Sequence, residues 1–104
     1  MSEKRKPAYD LERVRPWAVS PAFQVAGSAL RTAAELGLSP SEMAAIIGSM
    51  QRKHFYKFVT SIHNHREWQD VCHIPSELGV LYVKFRADVV TEFVLLSFKE
   101  KGND

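Results

Sequence analysis

Residues 52–73 carry Arg52, Lys53, Lys57 and Arg66 against Glu67 and Asp70, and they also hold all four histidines, His54, His63, His65 and His73. Residues 16–51, by contrast, carry Arg31 against Glu35 and Glu42. Positive and titratable side chains are thus concentrated in one stretch, as phosphate binding requires. Tyr82, Lys84, Arg86 and Lys99 follow it. Together these residues supply what is needed to cleave an RNA phosphodiester through its own 2′-hydroxyl. Tyrosine, histidine or a lysine of lowered pKa can move the protons, and cations can neutralise the charge that grows on the phosphate. The set is weakly specific, because any solvated sheet face offers Lys and Tyr.

Three other readings compete with this one. His63-x-His65 on a strand would share a face, and Cys72-His73 is near enough in sequence to complete a zinc-like set. No Cys-x-x-Cys pair supports it, however, and Asn64-His65-Arg66 reads equally well as a turn. Cys72 and His73 as a nucleophile pair are disfavoured, because adjacent strand residues point to opposite faces. Ala33 and Gly37 followed by Ile46 and Ile47 suggest a helix-turn-helix, but Glu42, Ala44, Ala45 and Ser49 are poor donors for a major groove. Two helices packed through a tight Gly turn account for that spacing better.

The elements that must position these residues divide the chain into a helical first half and a strand-rich second half, the pattern of an α+β domain. Asp10 can cap a first helix through Leu11 and Val14, which Pro16 is expected to break or kink. A second helix with Ala26, Ala29, Leu30 and Ala33 on one face runs to Leu36 and stops at Gly37. Ser39-Pro40-Ser41-Glu42 reads as a capping box for a third helix, whose core residues are Met43, Ile46, Ile47 and Met50. After Arg52 the period becomes two, giving strands at 55–62, 68–74, 79–90 and 92–100. Alternation sets Leu81, Val83 and Phe85 on one face of the third strand and Tyr82, Lys84 and Arg86 on the other. In the last strand it sets Val94, Leu96 and Phe98 inward and Phe93, Leu95, Ser97 and Lys99 outward. If the helices cover the apolar face, Tyr82, Lys84, Arg86 and Lys99 emerge together on the open one.

The 104 residues fit one domain, 1–104, with 45% hydrophobic and 25% charged side chains and a net charge of +2. One cysteine, Cys72, permits no internal disulfide. No apolar run approaches the roughly 20 residues that span a bilayer. The N-terminus Met1-Ser-Glu-Lys-Arg-Lys does not read as a signal peptide, so a cytoplasmic location without membrane association is expected.

Several stretches together resemble a known family: Glu3-Lys4-Arg5 with Pro7, Ser28-Ala29-Leu30, Glu35-Leu36-Gly37-Leu38, Phe55-Tyr56-Lys57, Trp68-Gln69-Asp70-Val71, Gly79 with Tyr82-x-Lys84, and Ser97-Phe98-Lys99-Glu100-Lys101. They are similar to the MqsR toxins, in order along nearly the whole chain. The resemblance implies a RelE-like ribonuclease fold, in which a helical half packs on an antiparallel sheet of four or more strands. It implies an mRNA interferase that cuts single-stranded message without a metal or other cofactor. Matched to the family's motifs, the catalytic residues are Lys57, Gln69, Tyr82 and Lys99. Lys84, Arg86, His65 and Arg66 are the candidate RNA-contacting residues. Within the family the partner is an MqsA-like antitoxin, which carries its own zinc and a helix-turn-helix, so that DNA is reached only through it. A second reading is a catalytically weak relative acting mainly as an antitoxin-binding corepressor. Tyr82 and Lys99 are reached by both alternation and resemblance, whereas Lys57, sharing a period with Phe55 and Val59, is reached by resemblance alone.

Overall fold

The computed structural model describes residues 8–61, 66–89 and 91–102. Among these, three α-helices precede a four-stranded antiparallel sheet, the expected α+β arrangement. No helix among the described residues is long and apolar enough to cross a membrane.

Helix α1, Leu11–Ala18, starts where the Asp10 side chain accepts a hydrogen bond from the Glu12 backbone N–H. It continues through Pro16 to Ala18, contrary to the break that the proline predicts. Pro16 lies on the exposed side, where water can satisfy the carbonyl left without a donor, while Val14, Trp17 and Ala18 anchor the helix in the core. Helix α2, Gly27–Glu35, buries Ala29 and Ala33 but leaves Leu30 exposed, and the chain turns at Gly37 with φ 79°. Helix α3, Pro40–Gly48, has the expected reciprocal capping box between Ser39 and Glu42. Met43, Ile47 and Met50 are buried, with Ile46 packed partly against them.

The strands β1 (Phe55–Thr60), β2 (Trp68–Ser76), β3 (Gly79–Asp88) and β4 (Glu92–Glu100) form a meander in sequence order. One face packs on the helices through Ile74, Leu81, Val83, Phe85, Phe93, Leu95 and Phe98. A short segment before α2 closes the β4 edge: Gln24 O accepts from Leu95 N, and Leu95 O accepts from Ala26 N.

The inward face of β4 differs from simple alternation. Lys84 pairs with Ser97 but Phe85 pairs with Leu95, so Leu96 is an extra residue at a bulge. N-terminal to it, the faces exchange. Phe93 and Leu95 enter the core instead of Val94 and Leu96, and beyond it Phe98 is inward and Lys99 outward as alternation requires.

Candidate active site

Cross-strand partners in a sheet point to the same side. On the face away from the helices, His73 pairs with Tyr82, and Tyr82 with Lys99. The next row along the sheet holds Lys57, Val71, Lys84 and Ser97, and the one beyond it Val59, Gln69, Arg86 and Val94.

Lys57 reaches this face through a second bulge. Phe55 pairs with Cys72 and Lys57 with Val71, so Tyr56 is inserted between them. Phe55 therefore packs against the core while both Tyr56 and Lys57 rise on the open face. The shared face of Phe55 and Lys57 expected from strict alternation is thus undone by one residue.

These side chains line an open groove of about 790 Å³. The Tyr56 and His73 rings stack with centroids 4.3 Å apart and planes 21° apart. On the other side, the Tyr82 ring lies 6.0 Å from His73 at 41°. Lys57 Nζ stands 5.3 Å from the Tyr56 centroid, and Lys99 Nζ 5.2 Å from that of Tyr82. The charged residues lining the groove include Lys57, Lys99 and Lys101, and Glu100, which also borders it, pairs with the core-facing Leu81.

Partial burial raises the Tyr82 phenol above its ordinary pKa, an effect the nearby Lys57 opposes and Tyr56 reinforces. The phenol therefore keeps its proton through neutral pH. His73 moves the other way. Loss of solvent, followed by the positive charges of Lys101 and Lys57, lowers its pKa and favours the neutral imidazole.

The fold thus brings Lys57, Tyr82 and Lys99 together, with Lys84 in the adjoining row. Gln69 lies farther along β2 from His73, four residues away and so roughly 13 Å. It is buried, and its amide donates to Glu67 Oε2 at 2.7 Å. Arg86, opposite Gln69, faces Glu67 Oε1 at 3.4 Å and Asp88 Oδ1 at 3.5 Å, so two carboxylates compete with phosphate for its guanidinium. Arg66 is exposed just before β2. His63 and His65 lie outside the described residues.

Tyr56, His73 and Lys101 belong to the groove but were not singled out for it by sequence. His73 was within reach, since alternation along β2 puts it on the face of Gln69. Tyr56 has no such signal, because neither glycine nor proline marks its bulge. Cys72 and His73 occupy opposite faces, the thiol in the core cluster and the imidazole in the groove, so they cannot share an ion. Burial also pushes the Cys72 thiol up to about 12, a poor state for a nucleophile or ligand. A second hollow, of about 460 Å³, is lined by Asp10, Arg15 and Arg52 among others, but Asp10 caps α1 and Arg15 donates to the Met50 carbonyl.

Residues 6–100 match the family described as "Motility quorum-sensing regulator, toxin of MqsA". The chain is also 34% identical over 99 residues to the mRNA interferase toxin MqsR of Escherichia coli (strain K12), spanning 95% of this chain and 99% of that protein.

Proposed function

The chain belongs to the MqsR toxin family, and on that premise we propose that it is the toxin of a toxin–antitoxin system, an mRNA interferase that cuts single-stranded message within the groove of Lys57, Tyr82 and Lys99. The observation that carries this reading is the convergence of two tyrosines, a histidine and three lysines on the sheet face opposite the helices. Cations there are suited to the charge that builds on the phosphate as the 2′-oxygen attacks, and Tyr82, holding its proton, is suited to protonating the leaving 5′-oxygen. The products are a 2′,3′-cyclic phosphate and a 5′-hydroxyl.

Single-stranded RNA fits because its unstacked bases can lie on aromatic rings, and Tyr56 is 53% exposed at the rim. Lys84 extends the cationic surface toward Gln69 and Arg86, a course along which nucleotides flanking the cut are held. Gln69, drawn into the network with Glu67 and Arg86, contributes there through positioning rather than at the scissile phosphate. The protein works in the cytoplasm and is held inactive by an MqsA-like antitoxin, which brings its own zinc and the DNA-binding helix-turn-helix.

Incubating the purified protein with an unstructured RNA in excess EDTA tests this reading. Cleavage leaving cyclic phosphate and 5′-hydroxyl ends, with 5′-end sequencing giving the cut site, is the expected result. No cleavage at any protein concentration, together with tight antitoxin binding, would instead identify a corepressor without nuclease activity.

A further inference from the structure

We propose that His73 is the general base of the reaction, taking the 2′-hydroxyl proton while Tyr82 serves as the acid. This rests on the nuclease reading above and assigns the one proton transfer that it leaves open.

The geometry singles out this imidazole. His73 projects from β2, inside the sheet rather than at its edge, into the groove and directly beside Tyr82. Stacking on Tyr56 at 4.3 Å, with planes 21° apart, covers one face of the ring and holds it at the groove. Among the described residues, none forms a hydrogen bond with either ring nitrogen. The groups facing it are Tyr56 and Lys57 from β1, Tyr82 from β3, Lys99 from β4, and Lys101 just beyond. This mostly positive surrounding, with loss of solvent, lowers the imidazole pKa below its ordinary 6.5, so the ring is neutral and able to accept a proton at physiological pH. Tyr82 is shifted the opposite way and can give a proton but not take one. Side by side in the groove, a neutral imidazole and a protonated phenol have the protonation states that a base and an acid need.

In the step itself, a neutral His73 nitrogen removes the 2′-hydroxyl proton and the 2′-oxygen bonds to phosphorus. The bond from phosphorus to the 5′-oxygen breaks, and that oxygen receives the Tyr82 phenolic proton. Return of the proton from the imidazolium to the phenolate, directly or through solvent, restores both groups, so that no water or other reactant is consumed.

The test is the pH dependence of kcat and KM on a short single-stranded RNA for the full chain, His73→Gln and His73→Phe, with melting temperature measured in parallel. The wild type should lose activity as pH falls through an apparent pKa below the ordinary histidine value. Both variants should lose about a hundredfold or more in kcat and lose that acidic limb, with KM and melting temperature close to wild type. His73→Phe keeps a flat ring on Tyr56, so it decides the question even if His73→Gln disturbs the fold. A fully active His73→Phe, or a variant that keeps the acidic limb, would show that the imidazole is only a stacking surface and overturn the proposal. A wild-type protein that cuts no RNA would instead remove the nuclease reading on which it rests.

Discussion

Lys99 and Tyr82 are cross-strand partners on β4 and β3, and the Lys99 ammonium stands 5.2 Å from the centroid of the Tyr82 ring. The contact holds a positive charge beside the proposed proton donor without using any core side chain. Lys99→Ala should therefore lower the melting temperature by only a few degrees, since exposed cation–π contacts contribute about 0.5–1 kcal/mol. RNA cleavage should fall about a hundredfold or more, the usual cost of deleting one well-placed electrostatic group. Tyr82→Phe removes the hydroxyl alone and should behave alike. If both variants keep full toxicity on expression, the groove is not where the chemistry occurs.

Three groups that titrate in the alkaline range hold their protons longer in the folded chain than in the unfolded one. Burial is the leading cause in each of Tyr9, Tyr82 and Cys72, the last pushed up to about 12 from an ordinary 9.0. A folded pKa above the unfolded value gives stability that is complete below the unfolded pKa and is lost as pH rises toward the folded one. Stability should thus decline from about pH 9 upward. Urea midpoints at pH 8 and pH 10.5 check this, and Cys72→Ser should flatten part of the decline. In the native state at pH 8, a thiol reagent such as DTNB should label Cys72 only as fast as the protein opens.

Alternation was readable in β3, where no bulge intervenes. Tyr82, Lys84 and Arg86 stand on the face opposite Leu81, Val83 and Phe85 as their order requires. In β1 and β4 one inserted residue, Tyr56 or Leu96, reverses the faces on one side of it. Each lies in an ordinary apolar or aromatic strand sequence, so the period gives no sign of it. Counting from Phe98, on the same side of the bulge, places Lys99 outward, whereas only the family resemblance points to Lys57. The break expected at Pro16 does not occur, because the penalty for a proline depends on which side of a helix it faces, and burial of its neighbours decides that side. The acid–base pair of His73 and Tyr82 depends on the β2–β3 register, which sequence patterning leaves open.

The β4 bulge makes two adjacent leucines unequal. Leu95 is fully buried in the core, while Leu96 is partly exposed and has no cross-strand partner. Leu95→Ala should destabilise the fold by about 2–5 kcal/mol through the cavity it leaves. Leu96→Ala should cost well under half of that. Chemical denaturation of the two variants measures the contrast directly, and equal losses would mean that β4 pairs without its bulge.

Asp70 follows Gln69 in β2 but points to the helix side, where its two carboxylate oxygens accept the backbone N–H groups of Ala8 at 2.9 Å and Tyr9 at 3.1 Å. These bonds tie the segment ahead of α1 to the sheet, and the Tyr9 ring then packs against Phe85 and Phe93. Asp70→Ala leaves two partly buried donors without acceptors and should cost about 1–3 kcal/mol. Asp70→Asn keeps one acceptor and removes the charge. Burial raises the Asp70 pKa above the ordinary 3.8, and the two N–H bonds offset this in part. The folded chain thus binds this proton at a higher pH than the unfolded chain, so the wild type loses stability relative to Asp70→Asn as pH rises above about 4. Melting both proteins between pH 4 and pH 7 tests the sign. Cleavage per folded molecule should be unchanged in Asp70→Asn, because its side chain lies across the sheet from Lys57 and Tyr82. A large loss of cleavage at unchanged melting temperature would show that the tethered N-terminal segment shapes the groove through the sheet.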